Sequence, residues 1–194
     1  MNDADHWDEK YRLGRWNQAA TCDPFVAARL DDLGSGSGRR ALDLACGPGR
    51  HALELTKRGW QVDAWDVSQQ GLQLLLARAS DLEFDLQTRC MDLTLPLPIE
   101  VQSFDLVVLV NYLQTGLLQQ LTELMRPGSR LLYTTYTRDH PGDHPSPRHC
   151  LEAGELERGI PGTETESHEE RKGRAGILVK RLDWTGLGTE ASES

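Results

Sequence analysis

Short apolar runs alternate with amphipathic stretches through the middle of the chain. Runs of roughly four to eight apolar or β-branched residues predict strands, and apolar residues recurring every three or four positions predict helices. The most regular strand is FDLVVLV, an unbroken apolar run typical of a strand buried on both faces. Strands are predicted at 40–45, 60–66, 84–91, 104–110, 129–136, 163–169 and 175–182. Helices are predicted at 49–58, 69–79, 116–125 and, as a short piece, 152–158.

Turn and capping residues punctuate this pattern. Gly59 follows the helix at 49–58 in the position where helices favour glycine, and Ser68 is a good N-cap for the next helix. Strands that alternate with helices indicate a parallel sheet with right-handed crossovers. The last two strands are close enough in sequence to form an antiparallel hairpin. We therefore predict an α/β fold, doubly wound, with a mostly parallel sheet and a C-terminal antiparallel hairpin.

Composition and charge narrow the class of protein. The 194 residues are 38% hydrophobic and 26% charged, as in a globular domain, and 21 basic against 30 acidic residues give a net charge of -9. Such a surface repels phosphate backbones, so nucleic acid is not an expected partner. No long apolar run or signal-like start is present, and the four cysteines form no CxxC pair. We expect no membrane segment, reduced thiols and a cytoplasmic location.

A glycine-containing turn follows the first strand and leads directly into a helix. Gly47-Pro48-Gly49 lies at the carboxyl edge of the predicted sheet, where open α/β folds bind their ligands. The match of Gly47, Gly49 and Ala52 to GxGxxG/A, with Asp66 roughly 20 residues further on, also fits a dinucleotide site. An NAD(P)-binding oxidoreductase is therefore one interpretation of this loop.

Two further carboxylates favour a different cofactor. Asp43 lies inside the first strand, where dinucleotide-binding strands are normally apolar, and Asp92 follows the third strand. Asp66 can accept hydrogen bonds from ribose hydroxyls, and Asp92 is placed to receive the exocyclic amine of an adenine. The three carboxylates together indicate an adenosyl cofactor without a pyrophosphate.

These residues resemble the class I S-adenosylmethionine-dependent methyltransferases. ALDLACGPGRHA is similar to their first motif, VDAWDVS and CMDLT to the second and third, and FDLVVLVNYL to the fourth strand with its following segment. WDEKYRLGRW and LEAGELER further resemble the small bacterial branch of tellurite-resistance and thiopurine methyltransferases. The resemblance implies a Rossmann-like, seven-stranded fold, S-adenosylmethionine as the cofactor, and transfer of its methyl group.

The resemblance also implies roles for individual residues. Asp43 would order the loop or meet the amino group through water, Asp66 would bind the ribose and Asp92 the adenine. Arg12 and Trp16 would cover the cofactor and neutralise its carboxylate, and Arg50 could neutralise it instead. The full set implied at the cofactor is Arg12, Trp16, Asp43, Ala45, Cys46, Gly47, Arg50, Asp66, Val67, Asp92, Leu93 and Val110. No catalytic residue is assigned, and Cys46 is interpreted as a small buried residue.

The same resemblance sets the expected organisation. Residues 1–186 would form one methyltransferase domain, with a disordered tail at 187–194. Within the domain we expect a helical lid at 1–33, a cofactor-binding core at 39–136, a loop at 137–150, and a helix and hairpin at 151–183.

The methyl acceptor is less constrained than the cofactor. VNYLQT after the fourth strand lacks the Asn-Pro-Pro-Tyr arrangement of enzymes that methylate base amines, so we expect a small molecule, such as a thiol or metalloid. Tyr136, Arg148 and His149 are candidate acceptor-side residues. His140, His144, His149 and Cys150 have no metal-site spacing, so no metal is expected. A non-catalytic S-adenosylmethionine-binding module remains an alternative, and the protein is expected to be a monomer or homodimer.

Overall fold

The computed structural model describes residues 2–14, 21–114, 116–142 and 145–183. The helices and strands in these ranges are α1 (Asp3–Arg12), α2 (Pro24–Leu33), β1 (Arg40–Leu44), α3 (Arg50–Lys57), β2 (Gln61–Asp66), α4 (Gln69–Asp81), β3 (Gln87–Cys90), β4 (Leu106–Val110), α5 (Leu117–Leu124), β5 (Arg130–Tyr136), β6 (Thr163–Arg171) and β7 (Arg174–Arg181). Short 3-10 turns occur at Ile99–Ser103, Pro147–His149 and Leu156–Arg158.

The strands form one seven-stranded sheet in the order β3-β2-β1-β4-β5-β7-β6. β1 pairs in parallel with β2 and β4, and β3 and β5 continue the parallel pairing outward. β7 is antiparallel to both β5 and β6. The predicted fold class is confirmed. Because the chain turns outward in opposite directions from β1 and from β4, a crevice is left at the carboxyl ends of these strands.

Both faces of the sheet are covered, which explains the unbroken apolar run of the fourth strand. Every residue of β4 is buried. Leu106 and Val108 pack into a core with residues of α2, α3 and α4, whereas Val107 and Leu109 pack into a second core with residues of α5. Side chains alternate across a strand, so a strand between two helical layers must be apolar at every position.

The residues that punctuate the sequence act as expected at the helix ends. Ser68 Oγ accepts a hydrogen bond of 3.0 Å from the N–H of Gly71 and so caps α4. Gly59 adopts a left-handed φ of 86° just after α3. The helix predicted at 152–158 is instead a 3-10 turn at Leu156–Arg158, because Gly154 and Gly159, at φ of 73° and 71°, leave room for no full helical turns between them.

The remaining expectations concern the loops and chain ends. His144 and the expected tail at 187–194 lie outside the described residues. The described part of the chain contains no cluster of three or more His, Cys, Asp or Glu side chains suited to a metal ion. Cys22, Cys46, Cys90 and Cys150 are all free thiols. In the same described ranges, no helix has the length and apolar character that crossing a bilayer requires.

Candidate cofactor and acceptor site

A cavity of about 230 Å³ lies at the carboxyl ends of β1, β2 and β4, under helix α1. Its floor is the loop that joins β1 to α3. Most of the predicted cofactor residues line this cavity, namely Ala45, Cys46, Gly47, Arg50, Asp66, Val67, Asp92, Leu93 and Val110. The strand order thus brings four separate sequence motifs to one place.

The loop between β1 and α3 is tightly packed from two sides. Gly47 and Gly49 have left-handed φ angles of 52° and 83°. A β-carbon on Gly49 would lie 2.1 Å from Cδ1 of Leu75 in α4, and one on Gly47 would lie 2.5 Å from the hydroxyl oxygen of Tyr11. Glycine therefore permits both the turn and the close approach of α1 and α4.

Asp66, at the end of β2, ties this loop to the next one. Its Oδ2 accepts a hydrogen bond of 2.8 Å from the N–H of Gly47, and its Oδ1 accepts one of 2.8 Å from the N–H of Ser68. Burial raises the pKa of Asp66, and these two N–H groups oppose the rise. Each carboxylate oxygen has a further lone pair, so the side chain can still accept hydrogen bonds from a ligand in the cavity.

Asp92 presents a second carboxylate at the same edge of the sheet, after β3. Its Oδ1 accepts hydrogen bonds from the Thr94 hydroxyl at 2.6 Å and the Thr94 N–H at 2.8 Å. Both bonds favour the anion and lower the pKa of Asp92. Val67 and Leu93 line the cavity as apolar surfaces beside the two carboxylates. This end of the cavity combines apolar walls with fixed hydrogen-bond acceptors.

Asp43 lies beneath the loop and does not line the cavity. The side chain is 1% exposed, and neither carboxylate oxygen has a hydrogen-bond partner among the described residues. Burial raises the pKa of Asp43 to about 8, against the lowering effect of the Ala52 N–H and Arg50. The role expected of Asp43 in ordering the loop remains a prediction.

The N-terminal helix covers the cavity through one face. Asp3, Trp7 and Tyr11 line the cavity, and the rings of Trp7 and Tyr11 stack with centroids 5.8 Å apart. Arg12 is on the exposed side of the same helix, paired with Glu9, and does not line the cavity. Trp16 lies outside the described residues.

The opposite end of the cavity is built from residues that the sequence analysis did not single out, apart from Tyr136. Asn111 and Tyr112 follow β4, Tyr136 ends β5, and His51 lies in the first turn of α3. His51 is buried, and its Nε2 accepts the N–H of Asp23 at 3.4 Å. Burial, aided by Arg50 and Arg174, lowers the pKa of His51 to about 3. His51 is therefore a neutral side chain in the cavity wall.

Some of these residues carried a sequence signal and others did not. Trp7 and Tyr11 are four residues apart in a helix, a spacing that places both rings on one face and could have marked Tyr11 as a cavity residue. His51 and Asn111 have no such spacing. Arg148 and His149 lie in a 3-10 turn, are exposed and do not line the cavity, so their acceptor role stays a prediction.

Comparisons with known proteins agree with this geometry. A family model described as "Methyltransferase domain" matches residues 41–132. A comparison with curated protein sequences found no significant match. The match therefore covers β1 to β5 and the loops that line the cofactor end of the cavity.

Solved structures share the fold at low sequence identity. TehB from Haemophilus influenzae is 18% identical, covers 90% of this chain and 67% of its own, and has a TM-score of 0.69. Magnesium protoporphyrin IX methyltransferase from Synechocystis PCC 6803, with bound SAH, is 15% identical over 92% of this chain and 97% of its own, with a TM-score of 0.69. The [4+2]-cyclase SpnF is 17% identical over 92% of this chain and 94% of its own, with a TM-score of 0.72.

The glycine loop, Asp66 at the end of β2 and Asp92 after β3 all occur within the matched segment. Residues 41–132 are therefore similar to a methyltransferase domain, and the chain shares the fold of a methyltransferase whose structure holds SAH.

Proposed function

We propose that this protein is an S-adenosylmethionine-dependent methyltransferase that acts on a small-molecule acceptor, a thiol or a reduced metalloid. The observation that carries the proposal is that one cavity has two ends lined by different kinds of residue. One end holds the glycine loop with Asp66 and Asp92, and the other is closed by His51, Asn111 and Tyr136. A cofactor at the first end would direct its reactive group toward the second.

The chemistry of the cofactor end fits S-adenosylmethionine. The loop at Ala45 to Gly47 allows backbone to approach a ligand closely, and Asp66 supplies a buried carboxylate suited to a pair of ribose hydroxyls. Asp92 is an ionised acceptor beside the apolar side chains of Val67 and Leu93, which suits an adenine ring and its amine. Arg50 would neutralise the carboxylate of the amino-acid part.

The protein's contribution to methyl transfer would be orientation and exclusion of water. When bound, S-adenosylmethionine supplies a methyl group on a sulfonium, which already is a good leaving group. The walls of the cavity then have to hold the acceptor in line and keep water out, effects that supply much of the acceleration in such displacements.

Neither His51 nor Tyr112 at the acceptor end is suited to act as a general base. His51 has a pKa of about 3 with Nε2 already engaged, and burial raises the pKa of Tyr112 to about 12. Burial also raises the pKa of Cys46, which argues against a nucleophilic thiolate. An acceptor that is nucleophilic without losing a proton to the protein therefore fits best, such as a thiolate or reduced metalloid.

Several broader expectations belong to the same proposal. The net charge of -9 and the small volume of the cavity favour a small acceptor over nucleic acid. A single domain over residues 1–186, a cytoplasmic location, and a monomer or homodimer are part of the proposal, as is membership of the tellurite-resistance and thiopurine branch.

Two measurements test the proposal in sequence. Calorimetry with S-adenosylhomocysteine should show binding at sub-millimolar concentration, and Asp66→Asn should weaken it by about tenfold or more because a carboxylate acceptor is lost. Asp63→Asn is the matched control, since Asp63 lies on the same strand but pairs with Arg40 away from the cavity. Absence of binding by the wild-type protein would refute the cofactor assignment for the intact chain.

Turnover is then measured with radiolabelled S-adenosylmethionine and a panel of thiols, metalloid oxyanions with reductant, halides and amines. We expect label in a thiol or metalloid product and none in the amines. Normal cofactor binding with no turnover on any acceptor would favour the non-catalytic module instead.

A further inference from the structure

Arg174 is a partly buried cation that contacts several residues of the acceptor end but does not itself line the cavity. It is the first residue of β7, directly after the turn of the C-terminal hairpin. Its Nη1 donates to Asn111 Oδ1 at 2.9 Å, and its Nη2 donates to Asp23 Oδ2 at 2.7 Å. The guanidinium also lies over the ring of Tyr136, 4.5 Å from the centroid. One side chain therefore joins β4, β5, β7 and the start of α2.

The contact with Arg174 fixes which way the Asn111 carboxamide faces. A guanidinium can only donate hydrogen bonds, so the atom it meets must be the carbonyl oxygen of Asn111. The NH₂ group of Asn111 is then left for other partners, and Asn111 lines the cavity. The backbone at Asn111 has a left-handed φ of 57°, which turns the chain away from β4 at this point.

Asp23 links Arg174 to His51 through two hydrogen bonds. Asp23 is 7% exposed and uses Oδ1 to cap α2 by accepting the N–H of Phe25 at 3.0 Å. Its Oδ2 pairs with Arg174, and its own N–H donates to His51 Nε2. Because Nε2 of a neutral imidazole then acts as the acceptor, the ring proton is on Nδ1.

We propose that Arg174 is a positioning residue that makes the acceptor end of the cavity a wall of hydrogen-bond donors. By occupying the oxygen of Asn111 directly, and by holding Asp23 against His51, it leaves N–H groups on both side chains. The acceptors that fit are small molecules with lone-pair-bearing atoms beside the nucleophilic centre, whereas protonated amines have no acceptor atom to offer these donors. This inference rests on the proposed function and names the substrate class for the same site.

The test compares Arg174→Met with Arg171→Met, a matched control. Arg171 lies just across the hairpin turn, is largely exposed and pairs only with Glu169 among the described residues. Arg174→Met keeps a side chain of similar length and removes the charge and the donors, while Arg174→Lys keeps the charge without the two-pronged geometry. Calorimetry with S-adenosylhomocysteine shows whether each variant remains folded and binds cofactor.

The first readout is the Asn111 carboxamide in ¹⁵N-resolved spectra, assigned as the NH₂ pair that Asn111→Asp removes. Arg174→Met should shift this pair toward the positions of a free carboxamide, and Arg171→Met should leave it unchanged. An unmoved pair in Arg174→Met would overturn the proposal. This readout needs no methyl acceptor, so it stands whether or not the panel yields turnover.

The second readout is turnover of the thiol or metalloid that the panel identifies. Arg174→Met should lower kcat/KM by about tenfold or more, with affinity for S-adenosylhomocysteine within about twofold of wild type. Arg174→Lys should recover part of the loss. A parallel fall in cofactor affinity would mean a general structural role and would also overturn the proposal. Failure of the wild-type protein to transfer methyl groups refutes the proposed function alone.

Discussion

Ala45 is a residue with a β-carbon that the loop after β1 holds in the left-handed region, at φ 53°. An L-residue pays about 1–2 kcal/mol for this conformation, and glycine avoids that cost while losing about 0.5–1 kcal/mol of chain entropy. We therefore expect Ala45→Gly to raise the free energy of unfolding by about 0.5–1 kcal/mol. Urea unfolding measures it, with Ala41→Gly in β1 as a control that should be destabilising. A destabilised Ala45→Gly would show that the methyl group packs usefully in the cavity wall.

A second single residue, His51, should make the free energy of unfolding depend on pH. Burial lowers the pKa of His51 in the folded protein from 6.5 to about 3. Between these pH values the unfolded chain binds a proton at His51 and the folded protein does not. The stability that His51 contributes is present above pH 6.5 and is lost as the pH falls toward 3. Between pH 8 and pH 5 the loss is about 2 kcal/mol.

Asp43 acts in the opposite direction, because its pKa is raised to about 8 and its protonated form favours folding as the pH falls. The measurement must therefore compare wild type with His51→Gln, which keeps an acceptor for the Asp23 N–H. Asp43 is common to both proteins and cancels in the difference. Relative to the variant, wild type should lose about 2 kcal/mol between pH 8 and pH 5 in urea unfolding. Parallel pH profiles would contradict a neutral, buried His51.

The two ends of the cavity differ in how far sequence could predict them. Asp66 ends β2 and Asp92 comes shortly after β3. Parallel strands bring their carboxyl ends to one edge, so local pattern suffices to place both. The acceptor end instead combines residues that are distant in sequence. They are Asn111 after β4, His51 in α3 and Arg174 at the start of β7. Their contacts depend on the position of β7 between β5 and β6, and no local spacing encodes that position.

Among the elements, α1 packs on the start of α4 and on the loop after β1. Tyr11 is its one buried residue, and the Tyr11 ring packs against the positions of Gly47 and Gly71. Asp8 Oδ1 accepts hydrogen bonds from the Ser68 hydroxyl at 2.5 Å and the Gln70 N–H at 3.0 Å. A carboxylate at the N-terminus of α4 is also favoured by the helix dipole. A helical lid is expected at 1–33, but the sequence does not indicate which face of this helix docks.

We expect Asp8→Ala to loosen α1 without unfolding the domain. Charge-assisted bonds of this kind contribute about 1–3 kcal/mol, so affinity for S-adenosylhomocysteine should fall by about fivefold or more. The dissociation rate in stopped-flow measurements should rise by a similar factor, since the helix covers the cavity. Asp5→Ala, an exposed change on the same helix, is the control. Equal dissociation rates for the two variants would show that α1 does not retain the cofactor.

At the scale of the whole molecule, one ligand should couple most of these elements. The cavity is lined by residues from α1, α3, the loops after β1 to β4, and β5, so a bound cofactor contacts both the N-terminal helix and the sheet. Binding only to the folded state at about 100 times Kd adds about 2.7 kcal/mol to stability. In a domain of this size that raises Tm by about 5–11 °C.

Comparing the rise in Tm with two ligands, S-adenosylhomocysteine and NADH, distinguishes the two candidate cofactors. S-adenosylhomocysteine should give the full rise in Tm, and Asp66→Asn should remove most of it at the same ligand concentration. NADH should give none, because its pyrophosphate would have to lie against Asp66, whose carboxylate disfavours a nearby phosphate charge. Stabilisation by NADH that exceeds stabilisation by S-adenosylhomocysteine would reverse the assignment. Since Asp66 already binds the Gly47 N–H that a phosphate would need, the geometry of the loop itself favours the cofactor without phosphate.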